Sequence, residues 1–203
     1  MAVVHRLPPR KPEKFGFKKA KRRIRGGNPR QLDIFSAASS ARILSLPSRR
    51  GVFEEALLLD ERGSQAAESA YRRAIEEGDC SADAYCNLGI LRFHAGDSAE
   101  ALSCFTNSLK ENPRHFESHY NLANLFFDRG NLNAARVQYE LASAIDDTFA
   151  SLYFNFGLLL AIEEDYQGSF DAFIRFRSLA PEEEGRLADE LLNNLRETLA
   201  QAG

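Results

Sequence analysis

Residues 82–113, ADAYCNLGILRFHAGDSAEALSCFTNSLKENP, set the pattern for most of the chain, because their landmarks return twice at a spacing of 34 residues. Small, large apolar and turn-forming residues all recur in step. The three sets of landmarks are Tyr85, Leu88, Gly89, Gly96, Asp97, Ala101 and Phe105, then His119, Leu122, Ala123, Gly130, Asn131, Ala135 and Tyr139, then Tyr153, Phe156, Gly157, Glu164, Asp165, Ser169 and Phe173. A fixed period of about 20–50 residues is typical of chains built from stacked repeats.

This pattern resembles the tetratricopeptide repeat, a pair of antiparallel helices. The resemblance implies an all-α solenoid with three full 34-residue repeats, and helical periodicity predicts, for example, helices at Leu132–Ile145 and Tyr166–Leu179. The stretch around Gly63 and Tyr71 fits the second half of a degenerate leading repeat. We divide the chain into a basic, mostly disordered N-terminal arm at 1–50 with a short linear segment at 31–46, a solenoid at 51–181 and a C-terminal capping helix at 182–203.

The turns within the repeats carry residues that suit the ends of helices. Gly96 and Gly130 are predicted to take the left-handed conformation where each first helix ends, since glycine enters it without a steric cost. Three residues are predicted N-caps: Ser81, Asp97 and Asn131. Three residues depart from the family pattern: Arg92 stands where an aromatic residue is usual, Glu164 where a turn glycine is usual and Phe176 where a small residue is usual.

The composition indicates one globular core and an uneven distribution of charge. A chain of 203 residues that is 44% apolar can bury one substantial core. Residues 1–50 hold 14 Lys or Arg and 2 acidic residues, whereas the remainder holds 12 and 27, so a basic arm precedes an acidic body. No run of 18 apolar residues is present, and the three cysteines show no CxxC spacing. We therefore predict a cytoplasmic protein without a membrane span, a disulfide framework or a zinc site.

One polar residue recurs without exception, because asparagine occupies the sixth position of every full repeat, as Asn87, Asn121 and Asn155. The resemblance places this position on the first helix of each repeat, on the concave side of the solenoid. The residues that the resemblance assigns to a peptide-binding groove are Asp83, Cys86, Asn87, Ile90, Phe93, Glu117, Tyr120, Asn121, Asn124, Phe127, Asp128, Phe154, Asn155 and Leu158. This surface is apolar and aromatic, and carboxylates border it.

The asparagine row has two interpretations. A side-chain amide offers one acceptor oxygen and two donor hydrogens, which match the C=O and N–H of a peptide backbone. Three such amides at equal spacing would hold an extended chain without reading its side chains. The row resembles the asparagine ladder in the solenoid of O-linked N-acetylglucosamine transferases, although no part of this chain resembles the transferase domain. Alternatively, each asparagine bonds a neighbouring helix and stabilises the stack.

The carboxylates beside the groove favour an apolar or basic ligand. Tetratricopeptide proteins that bind the acidic tails of heat-shock chaperones carry Lys and Arg on this surface, whereas this chain has Asp83, Glu117 and Asp128 there. The basic arm itself carries suitable residues, among them Phe15, Phe17, Lys18 and Lys19. Deletion of residues 1–30 is therefore expected to open the groove to other peptides.

A second functional hypothesis rests on the arm. Its basic residues would contact the phosphates of nucleic acid or, alternatively, an acidic protein surface such as the solenoid itself; they are Lys18, Lys19, Lys21, Arg22, Arg23 and Arg25. The adjoining residues Gln31, Leu32, Asp33, Ile34 and Phe35 resemble the pentapeptide with which bacterial replication and repair proteins bind the sliding clamp. Alternatively, Ile34 and Phe35 pack against the first repeat.

The sequence carries no recognisable catalytic motif. His115 and His119 are one helical turn apart, but no third ligand completes a metal spacing. No glycine-rich phosphate loop, nucleophile elbow or HExxH motif is present. We therefore predict a non-enzymatic protein, without a cofactor or a metal, that binds other proteins or peptides.

Overall fold

The computed structural model describes residues 13–21 and 51–202, and all regular secondary structure in these residues is helical. The helices are α1 Val52–Glu61, α2 Ala66–Glu76, α3 Ser81–His94, α4 Ser98–Glu111, α5 Phe116–Asp128, α6 Leu132–Ile145, α7 Ala150–Ile162, α8 Tyr166–Leu179, α9 Glu182–Gly185 and α10 Asp189–Ala202, with a 3₁₀ turn at Arg186–Ala188 between the last two. The predicted all-α class is confirmed, and α6 and α8 begin and end at the predicted residues.

Consecutive helices pair, and the pairs stack in chain order. The most extensive packing joins α1 to α2, α3 to α4, α5 to α6 and α7 to α8, and α10 packs on α8. Buried side chains form clusters that follow one another along the array. Because a helix pair cannot cover its own apolar face, each pair depends on its neighbours, as expected for a solenoid of three full repeats behind a degenerate leading pair.

Small residues at the eighth repeat position let the two helices of a pair approach closely. A Cβ added at Gly89 would lie 2.8 Å from Cε1 of Phe105 and 3.2 Å from Cβ of Cys104. At Gly157, the same atom would lie 3.0 Å from the ring of Phe173. Neither position therefore has room for a side chain, in agreement with the repeat pattern.

Two of the three predicted N-caps are confirmed. Asp97 accepts a hydrogen bond from the backbone N–H three residues further on at 2.9 Å, and Asn131 does the same at 3.2 Å. The prediction for Ser81 is wrong, because Ser81 is already the first residue of α3. The residue before it, Cys80, takes the left-handed conformation with φ of 56° and makes no side-chain cap.

Glu164 carries backbone strain that its counterparts in the other repeats avoid. Gly96 and Gly130 take positive φ angles of 85° and 73°, and Glu164 takes 62° at the equivalent turn. The left-handed conformation costs a residue with a Cβ about 1–2 kcal/mol. Since the Glu164 side chain is exposed, the Glu164→Gly substitution should raise the free energy of unfolding by about 1 kcal/mol, measured by urea denaturation.

The matched control for this prediction is Gly130→Ala, which places a Cβ at the same kind of turn. It should lower the free energy of unfolding by about 1 kcal/mol. If Glu164→Gly leaves the urea midpoint unchanged while Gly130→Ala lowers it, the strain assigned to Glu164 does not exist.

The C-terminal cap differs from the single helix predicted from the sequence. The chain forms α9, the 3₁₀ turn and then α10, and Gly185 lies so close to α8 that a Cβ there would be 2.8 Å from Nη1 of Arg177. The leucines buried against α8 are Leu191, Leu192 and Leu195. Leu187 lies in the 3₁₀ turn and is exposed. The break thus allows α10, rather than one continuous helix, to cover the apolar end of the array.

Residues 13–21, called here the docked segment, form neither helix nor strand and lie along the face made by α3, α5 and α7. The prediction of disorder is wrong for these residues. A disorder prediction from composition compares only the apolar content of the segment itself with the entropy lost on ordering it. This segment is instead held by hydrogen-bond partners that are 67 to 140 residues away in the sequence. The remainder of the arm lies outside the described residues.

Candidate peptide-binding groove

The three repeated asparagines each hold one residue of the docked segment by its backbone. All three are fully buried. In every case the amide oxygen accepts the backbone N–H of a residue and the amide nitrogen donates to the C=O of the same residue. The pairs are Asn155 with Phe15 (2.7 and 2.9 Å), Asn121 with Lys18 (2.7 and 2.9 Å) and Asn87 with Ala20 (2.8 and 3.0 Å).

The docked segment runs opposite to the order of the repeats. Phe15 is bonded to α7, Lys18 to α5 and Ala20 to α3. Three adjacent repeats therefore hold the backbone at the first, fourth and sixth residues of a six-residue stretch.

Each of the three asparagine amides also donates to the preceding helix pair. These additional acceptors are Tyr71 Oη for Asn87 (3.3 Å), Cys86 Sγ for Asn121 (3.3 Å) and Tyr120 Oη for Asn155 (3.0 Å). The asparagines thus contact both the docked segment and a neighbouring helix. The contact of Asn121 is the weakest of these, because a thiol sulfur is a poor acceptor.

The carbonyl of Gly16 accepts two further hydrogen bonds between the outer clamps. Tyr120 Oη donates to it at 3.0 Å and Asn124 Nδ2 at 3.1 Å. The amide oxygen of Asn124 accepts in turn from Tyr139 Oη at 2.5 Å. Burial raises the pKa of both tyrosines above its ordinary value, so both hydroxyls remain protonated donors near neutral pH.

Phe15 inserts its ring into an aromatic pocket at the third repeat. Its centroid lies 5.2 Å from that of Phe154 in an edge-to-face arrangement and 5.8 Å from that of Phe176. Phe127 and Leu158, both predicted groove residues, belong to the same apolar cluster. Aromatic pairs at these separations stabilise by about 0.5–1.5 kcal/mol beyond their buried area.

Phe17 and Ala20 occupy the apolar surface of the first repeat. The Phe17 ring lies 4.4 Å from the ring of Phe93 and stacks at 6.0 Å on that of Phe105. Ala20 is fully buried in a cluster that includes Ile90, and the thiol of Cys86 belongs to the same cluster. Burial raises the pKa of the Cys86 thiol to about 12, which makes it an unreactive packing group.

Two lysines of the docked segment pair with carboxylates at the border of the groove. Lys14 Nζ lies 3.3 Å from Asp128, and Lys19 Nζ lies 2.7 Å from Asp60. Burial lowers the pKa of Lys14, and the attraction of Asp128 opposes this effect. Each of these two carboxylates is therefore paired with a lysine of the docked segment.

Lys18 places its ammonium group among aromatic rings. Its Nζ atom lies 3.7 Å from the centroid of Phe149 and 4.5 Å from that of Phe116. The two rings meet edge to face at 5.5 Å, and Phe149 also contacts Tyr120 at 5.2 Å. The faces of these rings attract a cation, at about 0.5–2 kcal/mol for each close pair.

The remaining predicted groove carboxylates lie near His115. Its Nδ1 atom accepts the backbone N–H of Ser118, so its Nε2–H donates to Asp83 at 2.9 Å. The Glu117 carboxylate lies 3.9 Å from the same nitrogen. The side chain of His115, the N-cap residue of α5, therefore links the first turns of α3 and α5 by hydrogen bonds.

Sequence reasoning did not assign Asp60, Phe176, Phe116 or Phe149 to the groove. For two of them, the sequence contains a feature that could have indicated a role in the groove. Asp60 lies 68 residues before Asp128, which is two repeat periods, so it occupies the same position in the leading pair. Phe176 is a bulky residue at a position where the family pattern has a small one. Phe116 and Phe149 adjoin helix starts and carried no such mark.

Several predicted binding residues are not tested by this geometry. Lys21 is exposed at the end of the docked segment. Arg22, Arg23, Arg25 and the range 31–35 lie outside the described residues, and so their contacts with nucleic acid or a sliding clamp stay predictions.

Within residues 13–21 and 51–202, no group of three or more His, Cys, Asp or Glu side chains is arranged to hold a metal ion. In the same part of the chain, no helix combines the length and the apolar character that crossing a membrane requires.

Comparison with known proteins agrees with the repeat architecture. The profile of the family described as tetratricopeptide repeat matches residues 56–103 and 86–151. Mouse tetratricopeptide repeat protein 8 is 31% identical over 107 residues, which are 53% of this chain and 21% of that protein. The chain therefore spans about a fifth of the length of this curated relative.

Two solved structures share the fold. A tetratricopeptide repeat protein from Parabacteroides merdae superposes with a TM-score of 0.61 at 20% identity, covering 72% of this chain and 59% of the other. The first TPR of Spaghetti (RPAP3), bound to the HSP90 peptide SRMEEVD, gives a TM-score of 0.54 at 21% identity, covering 59% and 93%. The 34-residue period, the stacked helix pairs and these matches agree, and residues 56–151 are built from tetratricopeptide repeats.

Proposed function

We propose that this protein is a non-enzymatic adaptor that binds an extended peptide with apolar and basic residues in the groove of α3, α5 and α7. One observation carries the proposal: three buried asparagines each engage the N–H and the C=O of one backbone residue. Such contacts depend on the backbone alone, so a peptide from another protein can make them as well. The docked segment is then an intramolecular occupant that a partner displaces.

The charge of the groove supports a basic ligand. Asp60 and Asp128 pair with Lys19 and Lys14, and the ammonium of Lys18 lies on aromatic faces. The peptide SRMEEVD in the RPAP3 structure is acidic. An acidic peptide here would meet carboxylates where it needs cations, so we expect this groove to select the opposite charge.

Tethering sets the affinity that a partner needs. The 29 residues at 22–50 connect the docked segment to α1. Two segments joined in one chain typically meet at an effective concentration on the order of millimolar. A partner at micromolar concentration therefore competes only if it binds more tightly than the docked segment does.

The proposal predicts that weakening the docked segment opens the groove. We define the open-groove variant as the full chain with Phe15→Ala and Phe17→Ala, which removes two partly buried rings and leaves the asparagines in place. A fluorescent peptide with the sequence of residues 11–23 should bind this variant at least ten times more tightly than it binds the wild type, measured by fluorescence anisotropy. The gain follows from the lost intramolecular competition.

The control is the full chain with Lys21→Ala, because Lys21 is exposed. It should bind the peptide as weakly as the wild type does. Circular dichroism should first show that all three proteins have equal helix content. If the open-groove variant is folded and still binds no peptide, the groove is not a peptide site.

A further inference from the structure

We infer that the groove recognises a six-residue pattern: aromatic, any residue, aromatic, lysine, a basic residue, then alanine or another very small residue. This inference rests on the proposed function and names its ligand class. The pattern is that of residues 15–20, Phe-Gly-Phe-Lys-Lys-Ala, bound with its N-terminus towards the third repeat.

The asparagines fix the register of the pattern. They hold its first, fourth and sixth residues, at Phe15, Lys18 and Ala20. A ligand displaced by one residue would move every side chain into the place of its neighbour. Selectivity therefore comes from the side-chain sites between and beside the clamps.

The two aromatic sites are separate and are lined by different rings. The first contacts the ring of Phe15 through Phe154 and Phe176, at centroid distances of 5.2 and 5.8 Å. The second contacts the ring of Phe17 through Phe93 and Phe105, at 4.4 and 6.0 Å. An aliphatic side chain would lose the ring-to-ring contacts at both sites.

The fourth site selects lysine through its ammonium group. Nζ of Lys18 lies over the faces of Phe149 and Phe116. A carboxylate in this place would face the negative side of both rings. We therefore expect lysine to be preferred and glutamate to be rejected.

The sixth site excludes larger residues. Ala20 is fully buried between the Asn87 clamp and the apolar cluster that contains Ile90 and Phe105. A longer side chain has to displace well-packed neighbours, and such overpacking costs about 1–3 kcal/mol or more.

The second position accepts other residues. A Cβ added at Gly16 would have no atom within 4 Å, and the backbone of Gly16 is not left-handed. The fifth position favours a basic residue, because Nζ of Lys19 lies 2.7 Å from the Asp60 carboxylate. Substitution at the second position is therefore a matched control within the same peptide.

The test measures binding of synthetic peptides spanning residues 11–23 to the open-groove variant by anisotropy. Peptides with Phe17→Ala, Lys18→Glu or Ala20→Leu should bind at least tenfold more weakly than the parent peptide. The Gly16→Ala peptide should bind within about twofold of the parent, since the site has room for the added methyl. A peptide of reversed sequence, with the same composition and charge, should bind at least tenfold more weakly.

The outcomes separate the two proposals. If the parent peptide does not bind, both the adaptor function and the pattern are wrong. If the parent, the Ala20→Leu and the reversed peptides all bind alike, the groove binds peptides but does not read this pattern. Placing Ala20→Leu in the full wild-type chain gives a second measurement: trypsin should then cut after Lys18 at least ten times faster, whereas Gly16→Ala should leave this rate unchanged.

Discussion

Replacing Asn121 with leucine should release the docked segment from the groove while the helical array stays folded. The substitution removes the acceptor for the Lys18 N–H and the donor to the Lys18 C=O. Leaving two partly buried backbone groups without partners costs about 1–2 kcal/mol each, which lowers the docking equilibrium about 100-fold. Among the three clamps, Asn121 is the best choice, because its other hydrogen bond goes only to the sulfur of Cys86.

Tryptic cleavage after Lys18 measures this release, since a protease needs the segment free of its clamps. Where docking and undocking are fast relative to cleavage, the rate follows the population of the undocked form. We therefore expect cleavage after Lys18 to rise about 100-fold in Asn121→Leu. Cleavage after Lys110, which lies within α4, should not change and thus reports that the array is folded.

The matched control is Asn133→Leu, because Asn133 is exposed on α6 and the chemical change is identical. Its cleavage after Lys18 should equal that of the wild type. If Asn121→Leu behaves like this control, the side-chain amide contributes nothing to docking, and the apolar and charged contacts hold the segment by themselves.

The Gly89→Val substitution should unfold or severely destabilise the first repeat. Even the first atom of a new side chain would lie 2.8 Å from Cε1 and 2.9 Å from Cδ1 of Phe105, whose ring is fully buried. Forcing extra atoms into a packed core costs about 1–3 kcal/mol. Since valine adds three carbons at this contact, we expect a loss of about 3 kcal/mol in the free energy of unfolding, measured by urea denaturation.

A double-mutant cycle with Phe105→Ala distinguishes this clash from a general intolerance of valine in α3. The single substitution Phe105→Ala removes a buried ring and is itself destabilising, by about 3–5 kcal/mol. In its background, Gly89→Val should cost much less, because the atoms it would meet are gone. Strictly additive losses would show that the close approach of α3 and α4 is not the cause.

Local signals predicted most of the fold. The apolar periodicity of the helices and the 34-residue spacing can be recognised in short stretches of sequence. The first and last residues of α6 and α8 were therefore predicted correctly. The left-handed turns at Gly96 and Gly130 were likewise predictable, because they depend on the glycines themselves. The C-terminal cap was predicted less well, because α9, the 3₁₀ turn and α10 all pack on α8, a tertiary contact that a short window of sequence does not show.

The candidate site divides in the same way. Asn87, Asn121 and Asn155 were found because a recurring polar residue is a signal in itself. The sequence suggested that the arm occupies the groove but did not identify the contacts of Phe15, because its clamp Asn155 lies 140 residues further along the chain. Phe176 is an exception to the family pattern, and the structure accounts for its size, because its ring contacts the ring of Phe15.

The opposite direction of the docked segment also orders events during synthesis. Phe15 leaves the ribosome before its clamp Asn155, which is 140 residues further along the chain. That stretch takes roughly 7–28 s to translate at about 5–20 residues per second. Throughout that interval the growing chain presents the phenylalanines and lysines of residues 13–21 without the third repeat. Phe15, the first residue of the pattern to be synthesised, is thus the last whose binding site is complete. Its docking requires that the third repeat has been synthesised and folded.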